Sequence, residues 1–231
     1  MTDPARSAAP LHRLLHLASA TLPVGAFSYS QGLEPAAEAG FVRDAAGAGA
    51  WIADLMHGPL VQWDAPLWLR LRRAWAAGDA TGVARWNDVV LASREAAELR
   101  AEMAQMGYSL RRLLLDLHAV PEPPRRVLQG LEEVSLLAAH ALACWLWQLD
   151  EAAALEALMW SWLENQIMAA VRIVPLGQTE GQRLLLRLSA DIPALAVRAQ
   201  GVDDDDIGFL APGLAWLSSR HETQYTRIFR S

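Results

Sequence analysis

Lysine is missing from this chain: all twenty basic residues are arginine. That absence excludes a P-loop lysine, a Schiff-base lysine and a lysine general base together. The bias itself reads most simply as a GC-rich coding sequence. Cysteine is nearly missing too. The single thiol, Cys144, lies in the apolar run Ala141-Leu142-Ala143-Cys144-Trp145. An intrachain disulfide and a Cys-x-x-Cys metal site are therefore excluded. No run reaches the about 18 uninterrupted apolar residues of a membrane span. His140, Asp150 and Glu156 break the most apolar stretches. Met1 to Pro10 lacks the apolar centre of a secretory signal. Acidic residues outnumber basic ones to a net charge of −6, which argues against nucleic-acid binding through a broad basic surface. The expectation is a soluble cytoplasmic protein with no membrane and no nucleic-acid partner.

Catalytic signatures are also scarce. Gly47-Ala48-Gly49 lacks the third glycine of a dinucleotide loop and follows no strand. His221-Glu222 begins like a zinc-binding helix, but Tyr225 stands where the second histidine would be. His12 and His16 could face one metal from a single helix, although a solvated or core-edge pair is the plainer reading. His140 and Cys144 share the same i, i+4 spacing. Imidazole and thiolate suit nickel, yet a helix-packing thiol beside a satisfied histidine explains the pair equally simply. No nucleophile, base and orienting group fall at a recognisable spacing.

What the chain has in quantity is apolar residues at helical spacing. They make up 53% of the sequence, enough for a sizeable core. Leu11, Leu14, Leu15 and Ala18 predict a first helix. Asp44 can cap a helix through Trp51, Ile52 and Leu55, and Gly58-Pro59 interrupts it. Leu60, Trp63, Leu67, Leu71 and Trp75 continue the period. Ser93 is placed to cap a long helix with the stripe Leu99, Met103, Met106, Leu110, Leu113 and Leu117. Leu131 to Leu149 is apolar nearly all round and reads as a central helix. The next helix carries Leu155, Leu158, Met159, Trp162 and Ile167 and ends at Pro175-Leu176-Gly177. Trp145 and Trp147, like Trp160 and Trp162, diverge by about 200° on a helix, so one of each pair is expected at a surface or interface. The predicted fold is all-α: one compact multi-helix domain of about eight to ten helices over residues 10–217. A disordered segment, 1–9, precedes it, and a polar, aromatic tail, 218–231, follows.

One stretch does not read as a connector. Thr21 to Glu34 contains Pro23 and Gly25, which break a helix, and Leu22, Val24 and Phe27, which pack. Ser28 or Ser30 can cap the following helix, with Gln31 and Glu34 on its first turns. Within this stretch, Leu-Pro-Val-Gly-Ala-Phe-Ser-Tyr-Ser-Gln-Gly-Leu-Glu resembles the N-terminal motif of the F-type urease accessory proteins (UreF). Ala26 stands where that family commonly has a second glycine. Ala170 to Gln182, with Pro-Leu-Gly-Gln at its break, resembles the family's helix–turn–helix core. Arg220 to Ser231 resembles its terminal Arg-Leu-Phe-Arg-Ser tail, with Ile228 for leucine. Residues 41 to 130 match only in helical character.

The resemblance implies an all-helical protein that is not an enzyme and binds no cofactor of its own. It implies a homodimer that joins UreD (UreH), recruits the GTPase UreG and supports nickel delivery to urease apoprotein, nickel being the cargo. The partner-binding residues it implies are Tyr29, Arg220, His221, Tyr225, Arg227, Phe229 and Arg230, with GTPase recruitment resting on Arg227. Tyr29 is expected either bonded into the core or on a surface shared with a partner. A tail with little core of its own is expected to order only on binding. The competing expectations are a small helical nickel carrier and a helical enzyme with a polar pocket.

Overall fold

The middle of the molecule is the helix Leu136–Leu146, buried from Leu137 to Cys144. In chain order the helices are α1 Pro4–Ala18, α2 Leu33–Glu38, α3 Ala45–Leu55, α4 Ala65–Ala77, α5 Ala80–Ala92 and α6 Ala97–Asp116. Then come α7 Pro124–Gly130, α8 Leu136–Leu146, α9 Glu151–Ile173, α10 Gln178–Ser189, α11 Ile192–Gln200 and α12 Pro212–His221. This computed structural model describes residues 4–208 and 211–231, and no strand occurs among them. No helix among these residues is long and apolar enough to cross a membrane. A π-helical segment, Met56–Asp64, joins α3 to α4, so the two run as one interrupted rod. Pro59 sits inside that segment; it has no N–H to donate, which explains the wider turn there.

Caps set most boundaries. Asp44, Asp79, Ser135 and Asp150 each accept a backbone N–H three residues on, at 2.8 to 3.1 Å, and open α3, α5, α8 and α9. Gly78 closes α4 in the left-handed region at φ 67°. Ser93 does not cap α6: its hydroxyl turns back to Val90 O at 2.7 Å, and the helix starts later, after Ala96. Pro193 lies in the first turn of α11, where no intrahelical N–H bond is needed from it. The helix α1 begins at Pro4, ahead of the Leu11 expected from the apolar stripe. Of the segment expected to be disordered, residues 1–3 lie outside the described residues.

The helix α8 packs between α4 and α6, while α9 reaches α1, α4, α10 and α11. Gly107 lets α6 approach the entry to α8: a Cβ there would lie 2.0 Å from Val134 O. Trp68 and Trp75 are buried and donate their indole N–H to His140 Nδ1 and Ala138 O, both at 3.0 Å. Trp145, Trp147, Trp160 and Trp162 are all half-buried, so the helix divergence is met by boundary positions and not by one exposed member of each pair. The exposed tryptophan among the described residues is Trp216, beneath the Arg220 guanidinium.

Candidate functional site

The stretch Thr21 to Glu34 and the C-terminal tail meet. Gly25 takes φ 80° and starts a short 3₁₀ turn, Ala26–Ser28. The left-handed residue is thus Gly25, and Ala26 lies inside the turn, where an alanine is unstrained. Gln31 at φ 51° and Gly32 at φ 81° then swing the chain into α2. The positive φ of Gly32 favours glycine, and a Cβ there would also push aside the Leu214 Cδ1 methyl, 2.5 Å away. The N-cap of α2 is Gly32 and not a serine, although Ser30 Oγ, two residues earlier, accepts Glu34 N–H at 3.2 Å. Glu34 itself does not serve its own helix. Its carboxylate accepts the backbone N–H groups of Ile228 at 2.7 Å and Phe229 at 2.8 Å, and faces His221 Nε2 at 3.3 Å.

These contacts hold the tail against the body. Ser30 N–H and Oγ–H both donate to Ser231 O, at 2.8 and 2.6 Å, and Arg230 N–H donates to Ser28 O at 2.8 Å. Phe229 and Ser231 are buried. The tail thus lies packed on the body of its own chain, where its polar composition led to the expectation of little core contact. The reason is that its backbone donors find a buried carboxylate and its one deeply apolar side chain finds a place beneath Arg172, whose guanidinium lies 6.0 Å from the ring centroid.

A second tier of polar groups supports the first. Glu98 accepts from Arg227 Nη1 at 2.7 Å and faces His221 Nδ1 at 2.6 Å. Whichever ring nitrogen of His221 carries a proton, it finds a carboxylate acceptor. Glu102 accepts from Gln31 Nε2 at 2.5 Å and Ser231 Oγ at 2.7 Å. Gln31 Oε1 in turn accepts from Trp162 Nε1 at 2.7 Å and Gln166 Nε2 at 3.2 Å. Burial pushes the Glu102 carboxyl up to about 7, against the hydrogen bonds from Gln31 and Ser231. Tyr29 is raised as well, by burial first and the Glu102 charge second, with Arg230 opposing.

Of the residues named from the sequence, Tyr29, His221 and Phe229 are buried in this junction. Arg227 is half-exposed but occupied: it also donates to Gln224 O at 3.2 Å and Glu222 O at 3.0 Å. Arg220, Tyr225 and Arg230 point outward with Ile228. The acidic residues Glu98 and Glu102 escaped the sequence reading. Glu102 had a signal: it falls three residues after Leu99 and four before Met106, on the buried stripe of α6, where an acid needs partners.

The metal-ligand candidates are engaged otherwise. His140 Nδ1 accepts from Trp68 and lies 3.5 Å from Cys144 Sγ, deep in the core. Burial lowers His140 to about 4 and pushes the Cys144 thiol up to about 12, keeping the imidazole neutral and the sulfur protonated. That is a packed pair, not a nickel site open to solvent. His12 and His16 are exposed on α1, and His16 stands beside the Trp147 ring at 5.9 Å between centroids.

Fold and site together define an all-helical protein whose most elaborate polar cluster is spent on positioning its own C-terminal strap beside a folded loop. The sequence pattern of the UreF family matches residues 42–189. A UreF urease accessory protein of Azoarcus sp. (strain BH72) is 53% identical over 232 residues, spanning 100% of this chain and 99% of that one. The UreF of Dechloromonas aromatica (strain RCB) is 48% identical over 96% of this chain and 97% of its own. A bifunctional urease accessory protein UreEF of Bordetella bronchiseptica is 46% identical over 99% of this chain, which covers 53% of its length. The chain belongs to the UreF family of urease accessory proteins.

Proposed function

We propose that this protein is a urease-maturation scaffold which, with UreD (UreH), recruits the GTPase UreG and supports nickel delivery to urease apoprotein. It works in the cytoplasm as a homodimer and catalyses no reaction of its own. The observation that carries the reading is the docked tail. Held from beneath by Glu34 and Glu98, it presents Arg220, Tyr225, Ile228 and Arg230 outward beside the loop Thr21 to Glu34. Aromatic side chains and guanidinium forks on a pre-ordered strap suit a protein interface, because little ordering entropy remains to be lost on binding. Tyr29, His221 and Phe229 act from below, as supports of that surface. Arg227 joins the two layers, with three nitrogens bonded within the chain and part of the guanidinium in solvent.

The test is capture of UreG by the complex of this protein with UreD. Arg227→Ala and the outward double change Tyr225→Ala with Arg230→Ala are expected to keep a helical dimer and lose capture. Undiminished capture by both variants would refute the assignment of the tail.

A further inference from the structure

Beneath α1 and the loop Thr21 to Glu34 lies a cavity of about 380 Å³, reaching α6, α8 and α9. It is more than twice the about 150 Å³ of an engineered cavity that takes up benzene. Leu22, Met106, Leu137 and Leu158 give it an apolar wall, and Glu102 lines it as well. We propose that this cavity binds a small organic cation with an apolar body, whose ammonium group pairs with Glu102.

Three observations converge on that chemistry. First, an ionised carboxylate offers about four acceptor positions. Gln31 and Ser231 fill two on Glu102, leaving two for an ammonium group. Second, the ionisable wall is acidic: Asp64, Glu102 and Glu164 stand against the single guanidinium of Arg172. Arg172 is itself turned to Phe27 O and the Phe229 ring. Third, Glu102 is destabilised as an anion in the unliganded protein by its burial, a cost that a cation at this position relieves. Of the other charged groups facing Glu102, Arg94 acts to favour its anion and Asp64 to disfavour it, and these two are paired with each other. Tyr29 from the loop adds no charge while its phenol is protonated, and burial holds it so. His140 on α8 is held neutral, and Glu164 on α9 is raised by its own burial. The site does not depend on how partners are recruited.

Calorimetric titration of the full chain with n-hexylammonium, n-hexanol and hexanoate tests the inference, with the change in tryptophan fluorescence that Trp162→Phe removes as a second readout. At pH 8 n-hexylammonium is expected to bind at least about tenfold more tightly than n-hexanol, and hexanoate more weakly than either. Below about 7 that advantage falls about tenfold per pH unit as Glu102 takes up its proton. Glu102→Gln removes the preference and leaves n-hexanol binding in place, and Ser161→Phe, which fills the cavity, removes both. Should Glu102→Gln not fold, the pH series on the unaltered chain decides alone. Equal affinity of the amine and the alcohol at pH 8, tighter binding of hexanoate, or no binding of any probe would overturn the proposal.

Discussion

Replacing Glu34 by glutamine isolates the junction between loop and tail. The substitution preserves volume but removes the charge and turns one acceptor oxygen into an NH₂ donor. That donor would face the N–H of Ile228 or Phe229, both less than 3 Å from the present carboxylate. Hydrogen bonds to a buried charged acceptor contribute about 1.5–3 kcal/mol each. Glu34 is 5% exposed, so solvent screens little of this. A loss of about 3 kcal/mol in docking free energy is more than a hundredfold in the docked-to-free ratio. Amide hydrogen exchange reads it directly: protection at Ile228 and Phe229 should fall by about two orders of magnitude, while protection in α8 stays unchanged. If those two amides keep their protection in Glu34→Gln, the carboxylate is not what holds the tail and the account of the junction is wrong.

Three further outcomes follow from the same geometry. Deleting residues 222–231 removes buried Phe229, worth about 1.5–3 kcal/mol, and takes the Ile228 and Phe229 N–H groups from Glu34, leaving His221 beside it. A drop in melting temperature of at least about 5 °C is expected by scanning calorimetry, and an unchanged transition would make the tail an ornament. Glu102 has its folded value raised above its unfolded one, so the folded state binds more protons between about 4.5 and about 7. Stability contributed by this group therefore falls as pH rises through that window and is flat above it, by about 3 kcal/mol in all. Urea denaturation at pH 5 and pH 8 should show the slope, and Glu102→Gln should abolish it. Finally, Cys144 should react with a thiol reagent at pH 8 only as fast as the protein unfolds, and nickel titration should show no stoichiometric site lost in Cys144→Ala.

The helical architecture was legible because burial and periodicity coincide. The stripe through Met103, Met106 and Leu110 is buried where its spacing places it, and the all-round apolar segment became the central α8. The cap at Asp44 was readable for the same reason, since the acid precedes an apolar run and faces free N–H groups. The tail was misread because composition reports only side chains. Its anchorage is largely through main-chain groups, Ile228 N–H, Phe229 N–H and Ser231 O, which any sequence possesses equally. Glu34 on α2 accepts the two N–H groups and Ser30 donates to Ser231 O, both far away in sequence, and no local spacing connects Glu34 with residue 228. The proline of the Gly58-Pro59 pair announced a break, but α3 and α4 stay aligned because a π-helical turn absorbs it.

The bond from Ser30 to Ser231 spans 201 positions of the chain. Closing so long a loop has an entropic cost that is met only once the intervening helices have packed, so this junction forms late in folding. A chain stopped early, nicked, or misfolded at α4, α6 or α9 has no way to assemble it. In the proposed recruitment, a partner that docks on this strap therefore engages molecules in which the intervening helices have already packed.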